Sequence, residues 1–200
     1  EEIKQNHLKG KAELVRYADD MVFSFQHMND AIRFYNVLPK RLEKYGLSLH
    51  ENKSQLIASG HKACLNAESQ GKRLPTYKFI GFVCYLGKAR NGYRRLKYLS
   101  RGDRFRSKLK EIKQFLRKSL NARDTSEVIN QVILIVKGWI NYHGISDNEK
   151  RVKEFILESK KLLYRWFNRR GGNRYVSWER VQEILIRHKF PDRWKRISMF

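Results

Sequence analysis

Two adjacent aspartates, Asp19 and Asp20, lie between two short apolar runs at 13–18 and 21–26. The runs favour β-strands, and a two-residue turn at Asp19-Asp20 would join them, because Asp tolerates the positive φ that such turns demand. A tight turn keeps both carboxylates at its tip, where a cation relieves their repulsion. Oxygen ligands of this kind suit Mg²⁺ held jointly with substrate phosphates. We therefore expect metal-assisted phosphoryl transfer, with an ordinary solvated Asp-Asp turn as the simpler alternative.

The charge balance indicates a polyanionic partner. The chain has 43 Lys and Arg against 20 Asp and Glu, a net charge of +23, and its 41% hydrophobic content suffices for a packed core. Cations that meet phosphates release counterions, so binding would be salt-sensitive; a merely basic surface is the alternative. No long apolar run or signal peptide is present, so we expect no membrane partner. Cys64 and Cys84 form no CxxC, which favours reduced thiols in a cytoplasmic protein.

The first hundred residues have a mixed α and β pattern. We expect a helix over 30–45 with Asn29 or Asp30 as its N-cap, and Pro39 should kink or break it. A strand near 54–59 and an irregular loop over 60–76 should follow. Two further strands, at 77–86 and 92–99, flank the turn dipeptide Asn91-Gly92.

From about residue 100 the apolar period changes from two to 3.6, which indicates helices. The expected ranges are 103–120, 126–143, 148–169 and a last helix after Ser177. The helix at 126–143 is apolar nearly all round, so it should be central in a small bundle. Phe105, Trp139 and Tyr142 are expected in the core, and His143 as a cation at a helix C-terminus.

Four motifs, in order, resemble those of group II intron-type reverse transcriptases. Residues 15–23 (VRYADDMVF) resemble the catalytic hairpin, and residues 44–54 (KYGLSLHENKS) the next polymerase motif. Residues 79–83 (FIGFV) are similar to the primer grip, and residues 136–143 (VKGWINYH) to the maturase motif. Four motifs in the family's order are far more specific than any one of them.

The resemblance implies an α+β fold: the C-terminal part of a polymerase palm, with catalytic β-hairpin, helix and primer-grip hairpin, followed by an α-helical thumb bundle. The implied domains are palm at 1–99, thumb or maturase (X) domain at 100–170 and a basic C-terminal extension at 171–200. The implied activity is RNA-directed DNA synthesis, coupled to binding of primer–template and intron RNA, and DNA is a possible target. The alternative is a non-catalytic RNA-binding splicing factor that keeps the palm remnant as a scaffold.

The resemblance also assigns residues. Asp19 and Asp20 would be catalytic metal ligands, and Lys53 would protonate the departing pyrophosphate unless it is only a strand-edge lysine. The primer grip would comprise Phe79, Ile80, Gly81 and Phe82. The expected RNA-binding residues are Arg94, Arg95, Lys97, Arg101, Arg104, Arg106, Arg165, Arg169, Arg170 and Arg174.

Polymerases of this family need a further metal-binding aspartate on an upstream strand. Residues 1–16 contain glutamates but no aspartate. We therefore expect Mg²⁺ only in a site completed by an N-terminal polymerase portion, and no polymerase activity from the chain by itself.

Overall fold

The computed structural model describes residues 7–89, 91–170 and 175–198. The chain divides into two compact units. The N-terminal unit comprises Glu1–Ile80 and Tyr85–Leu96, and the C-terminal unit comprises Gly81–Cys84 and Lys97–Phe200. The described residues form two small sheets and six α-helices, so the fold is mixed α and β.

The N-terminal unit begins with an antiparallel hairpin of β1 (Ala12–Tyr17) and β2 (Asp20–Phe25). Helix α1 (Met28–Glu43) follows, then a 3₁₀ turn (Glu51–Lys53) and α2 (His61–Ser69). Alternate residues of β2 face α1: the rings of Phe23 and Phe25 lie 4.6 and 5.2 Å from that of Phe34. Aromatic packing of this kind fixes the hairpin against the helix.

Helix α1 differs from its sequence prediction in two respects. It starts at Met28, and Asp30 is not its N-cap: this carboxylate is 2% exposed and accepts the backbone N–H groups of Lys9 and Gly10 at 2.9 and 3.1 Å. The helix also runs through Pro39 to Glu43, so of the two alternatives predicted at Pro39, a kink or a break, the break is wrong.

Two predictions between residues 54 and 76 are wrong as well. No strand forms at 54–59, and the expected irregular loop contains α2. Only Cys64 of α2 is buried, which explains why the helix leaves so weak a periodic pattern in the sequence.

The second sheet has the strand order β3 (Tyr77–Phe79), β4 (Phe82–Lys88), β5 (Arg94–Ser100). The single strand expected at 77–86 is therefore two strands. They are joined by the two-residue turn Ile80–Gly81, where φ is 43° and 74°. The other turn forms as predicted: Gly92 has φ 84°, and Asn91 Oδ1 accepts the N–H of Tyr93 at 3.3 Å.

The C-terminal unit contains the four helices expected from the 3.6-residue period. They are α3 (Gly102–Lys118), α4 (Thr125–His143), α5 (Glu149–Arg170) and α6 (Trp178–Arg187). Two have side-chain N-caps: Asp124 accepts the N–H groups of Ser126 and Glu127, and Ser177 accepts that of Arg180.

The core of this unit forms around α5, which packs against α3, α4 and α6 and so shares the central position expected for α4. The ring of Phe155 on α5 stacks on Trp139 at 4.5 Å and meets Phe105 edge-on at 5.7 Å. Phe105 and Trp139 are buried as predicted, whereas Tyr142 is 51% exposed and is not core.

The residues that follow α6 fold back onto the same unit. Ile197 forms a parallel bridge with Ile145, donating its N–H to Gly144 O, while its carbonyl accepts the N–H of Ser146. A Cβ at Gly144 would lie 3.0 Å from the ring of Trp194 and 2.6 Å from a backbone oxygen of α4. Only glycine fits this corner between α4 and α5.

Candidate functional site

The turn that carries the aspartate pair is shifted by one residue from the predicted position. Tyr17 pairs with Asp20, so the two-residue turn is Ala18–Asp19 and Asp20 is the first residue of β2. Ala18 has a φ of 52°, a left-handed conformation that costs a non-glycine residue about 1–2 kcal/mol. Arg16 Nε donates to the Ala18 carbonyl at 2.9 Å and so helps to hold this strained turn.

Both carboxylates lie on the exposed end of the hairpin. In the part of the chain that the structure describes, no group of three or more His, Cys, Asp or Glu side chains is placed to hold a metal ion. The donor set therefore consists of two adjacent carboxylates open to solvent. Such a pair fits Mg²⁺ when substrate phosphates or other groups supply the remaining oxygens.

Lys53 ends the 3₁₀ turn and is exposed. It does not lie on a strand edge, because residues 54–59 form no strand. Within the described ranges, no hydrogen bond or ion pair joins Lys53 to either aspartate. The structure thus places Asp19 and Asp20 side by side and does not bring Lys53 into contact with them.

The predicted primer-grip residues form the end of β3, the tight turn and the start of β4. Ile80 is a β-branched residue at positive φ, which is a rare and strained conformation. Gly81 adopts a φ that suits glycine, and a Cβ there would lie 3.4 Å from Cε1 of Tyr142. The Gly81 carbonyl accepts the N–H of Arg101 at 3.2 Å. Gly81 is therefore a turn residue that lies close to the ring of Tyr142.

Phe82, the residue after Gly81, also packs against the end of α4. Its ring stacks on Tyr142 at 5.8 Å with an interplanar angle of 15°, and lies 5.2 Å from the ring of His143. His143 in turn stacks on Trp139 at 3.8 Å and is 6% exposed. The last turn of the maturase-like motif thus forms the support for the Gly81–Phe82 backbone.

His143 is not the cation expected from its place at a helix end. Burial lowers the pKa of its imidazole to about 4, although the Trp139 carbonyl, 3.2 Å from Nδ1, opposes the shift. The ring is therefore neutral near pH 7 and acts as an aromatic packing group. Desolvation outweighs the helix dipole here, since the side chain has little contact with water.

Asn148 is a structural residue that sequence reasoning missed. It is fully buried, and its Oδ1 accepts both the N–H and the hydroxyl of Ser100 at 2.9 Å. Its Nδ2 donates to the His143 carbonyl at 3.0 Å. One amide therefore ties the end of β5 to the end of α4, beside the Phe82 contact. A buried asparagine in a polar stretch leaves no periodic signal in the sequence.

Several of the predicted RNA-binding arginines are engaged within the protein. Arg94 pairs with Glu68, whose hydrogen bond raises the pKa of the guanidinium, and it is largely buried. Arg101 makes a two-point contact with Asp103 at 2.6 and 3.1 Å, which lowers the pKa of that carboxyl to about 2. Arg95 donates to the carbonyl of Leu96. These arginines are less available to phosphates than the sequence suggested.

Other predicted RNA-binding residues remain open to solvent. Arg104 and Arg106 on α3, and Arg165 and Arg169 on α5, are exposed, while Lys97 on β5 is half-buried. Arg170 lies over the ring of Trp166 at 5.3 Å and donates to the Arg123 carbonyl at 3.5 Å. Arg174 lies outside the described residues. The open cations of this set thus concentrate on two helices of the C-terminal unit.

No helix in the described ranges has the length and apolar character needed to cross a bilayer.

The comparisons with known proteins define the class of protein. Residues 1–100 match the family model described as reverse transcriptase (RNA-dependent DNA polymerase), so this chain belongs to the reverse transcriptase family. Residues 103–184 match the model described as group II intron, maturase-specific domain. The two matches, in this order, identify a group II intron reverse transcriptase/maturase. No curated protein matches the chain significantly.

Proposed function

We propose that the chain comprises the C-terminal part of a polymerase palm, ending near residue 99, and a helical thumb or maturase domain that begins near residue 100. In this proposal Asp19 and Asp20 contribute to the catalytic centre of RNA-directed DNA synthesis. The observation that carries it is the adjacent carboxylate pair at the exposed end of a strained hairpin, in a chain of the reverse transcriptase family.

Each element has a defined part in the proposed reaction. Asp19 and Asp20 would hold Mg²⁺, which when bound stabilises the negative charge that develops during phosphoryl transfer. Lys53 would donate a proton to the departing pyrophosphate once substrate brings the groups together. The turn at Ile80–Gly81 would hold the primer end, since the next residue, Phe82, stacks on Tyr142 and so supports the turn.

RNA binding is assigned to the C-terminal unit. The exposed cations of α3 and α5 support this assignment, because charge on two packed helices can follow a phosphate backbone. To test it, Arg104, Arg106 and Arg165 are changed to Gln, and affinity for a structured RNA is measured at several salt concentrations. The slope of log K against log salt should fall by about 0.7–0.9 per lost contact. Lys62→Gln, Lys137→Gln and Arg187→Gln together, at exposed sites that lie on neither α3 nor α5, are the control. An unchanged slope in the triple variant would contradict the assignment.

The alternative function is a non-catalytic RNA-binding splicing factor that retains the palm as a scaffold. It is favoured by the open cations of α3 and α5, which support RNA binding without the aspartate pair; among the described residues, no third metal-binding side chain lies beside that pair. Calorimetry with Mg²⁺ or Mn²⁺ should therefore show at best millimolar binding, lost in Asp19→Asn. A tight, Asp19-dependent site would show that another residue of the chain completes the cage.

Primer extension separates the two functions. The chain is combined with an N-terminal polymerase portion that carries the fingers and the first half of the palm, and incorporation of labelled dNTPs on an RNA template is measured. Incorporation abolished by Asp19→Ala supports the polymerase. Intact RNA binding without incorporation supports the splicing factor. The chain by itself should bind RNA without extending a primer.

A further inference from the structure

A groove of about 250 Å³ lies between α3 and α5 of the C-terminal unit, and none of the residues proposed for metal or primer binding lines it. Its apolar lining consists of Leu116, Leu120, Leu162 and Trp166. Trp166 is 2% exposed, and its Nε1 has no hydrogen-bond acceptor among the described residues. The groove is smaller than the roughly 300–1,000 Å³ typical of sites for drug-sized ligands, so it suits one small planar group.

Four cations complete the lining: Lys113 and Arg117 on α3, and Arg165 and Arg169 on α5. The same spacing occurs on both helices, since each cation lies three or four residues from an apolar lining residue, which places all of them on the facing surfaces. All four are exposed, and none has an ion pair or a side-chain hydrogen bond in the part of the chain that the structure describes. No acidic side chain lines the groove.

The lining selects the chemistry of an occupant. Four cations without a counter-charge attract an anion, whereas the four apolar lining residues, which form the floor of the groove, favour a hydrophobic or aromatic group. A duplex backbone has the charge but keeps its bases stacked inside, so it could not use the floor. An unstacked nucleotide has both parts: its base can enter the groove while its flanking phosphates meet the arginines.

We propose that the α3–α5 groove binds a single unstacked RNA nucleotide, such as a bulged or single-stranded base, with its flanking phosphates on Arg117, Lys113, Arg165 and Arg169. The proposal rests on the RNA-binding function above and adds a preference for unpaired positions. This preference would let the helical unit recognise a particular RNA shape and not merely its charge.

The first test compares two RNA hairpins that differ by one bulged nucleotide, with binding measured by fluorescence anisotropy at fixed salt. The unmodified chain should bind the bulged hairpin about tenfold more tightly, and an abasic residue at the bulge should remove most of this difference. Leu162→Trp fills the groove without changing the charge, so it should abolish the preference and retain affinity for the paired hairpin. Leu134→Trp is the matched control, because Leu134 is 59% exposed on α4 and does not line the groove.

A second variant does not depend on the apolar floor. Arg117→Gln with Arg165→Gln should lower the salt dependence for the bulged hairpin by about 1.4–1.8 in log–log slope, as two phosphate contacts are lost. Lys137→Gln with Arg187→Gln removes the same charge at exposed positions outside the groove and should leave more of the slope intact. Thermal melting of each variant confirms that it is folded.

The outcomes separate this inference from the function on which it rests. Salt-sensitive binding to both hairpins, without preference for the bulge, would overturn the groove proposal and leave RNA binding intact. If neither hairpin binds, the groove proposal and the proposed RNA-binding function are both wrong. If a glutamate-rich peptide displaces the bulged RNA and binds the groove more tightly than RNA does, the groove is a protein-docking site and the proposal is wrong.

Discussion

Replacing Asn148 with Ala should strongly destabilise the C-terminal unit. The substitution removes one acceptor and one donor, and it leaves two partners unpaired, the N–H and the hydroxyl of Ser100; the His143 carbonyl loses one of two bonds and keeps the N–H of Ile145 at 2.8 Å. Ser100 and Asn148 are at most 1% exposed, so water cannot replace these bonds without a rearrangement. Each buried unpaired group costs about 1–3 kcal/mol, and the two belong to one network and do not simply add. We expect a loss of about 4 kcal/mol in the free energy of unfolding.

The measurement is urea denaturation followed by tryptophan fluorescence. All four tryptophans belong to the C-terminal unit, so their emission follows that unit alone. A loss of this size would also lower Tm by about 15 °C. Asn141→Ala on exposed α4 surface is the control and should change stability by less than about 0.5 kcal/mol. Ser100→Ala removes only the hydroxyl bond and should cost about 1 kcal/mol. If the free energy of unfolding of Asn148→Ala lies within about 0.5 kcal/mol of that of the unmodified chain, the hydrogen bonds of the Asn148 amide do not stabilise the unit as predicted.

Three further predictions concern pH and backbone conformation. The pKa of His143 is about 4 in the folded chain and about 6.5 in the unfolded chain, so between these pH values the unfolded state binds more protons. The free energy of unfolding should therefore fall by up to about 3 kcal/mol as the pH drops from 6.5 to 4. In urea titrations, His143→Gln should lack this dependence on pH. Gly81→Ala should cost about 1–2 kcal/mol, because alanine is strained at positive φ while its Cβ would meet Tyr142 at an ordinary 3.4 Å. Gly92→Ala, with a similar φ and no neighbour within 4 Å, is the control and should cost about the same; a much larger loss at Gly81 would show that Tyr142 cannot accommodate the methyl group. Ala18→Gly should stabilise the hairpin by about 0.5–1 kcal/mol in thermal melts, and a lower Tm would argue against strain at that turn.

The helices of the C-terminal unit were predictable because one physical rule decides them. Each buries an apolar stripe, and that stripe appears in the sequence as a 3.6-residue period. Their starts were also visible, since Asp124 and Ser177 are polar residues immediately before the periodic segments and do cap them. A local signal and a tertiary requirement coincide in these helices, so the sequence alone predicted them correctly.

The aspartate turn was predicted in kind but shifted by one residue. Propensity favours Asp over Ala in a left-handed conformation. The register of the hairpin is decided elsewhere, by the packing of Phe23 and Phe25 on α1, and it places Ala18 in the turn. The carboxylate pair itself was found because it is a local motif; its surroundings depend on contacts between distant residues.

The state of His143 and the role of Asn148 could not be read from the sequence. Both depend on burial by segments far along the chain, including Phe82 and Ser100. A polar residue near a helix end usually faces water, so the sequence favours a charged histidine and an exposed asparagine. Only the tertiary fold shows that these two are inside.

The return of the chain to Gly144 affects where the C-terminal unit can be divided. A boundary drawn at the end of α6, where the regular helical pattern stops, would detach Trp194 and Ile197 from the corner between α4 and α5. The indole lies close to Gly144, and the bridge pairs the backbone of Ile197 with Gly144 and Ser146. A protein shortened in this way would expose the corner between α4 and α5 to solvent and to other protein molecules. Residues 190–198 therefore cover the corner between α4 and α5, and we expect their removal to make the C-terminal unit less stable and less soluble.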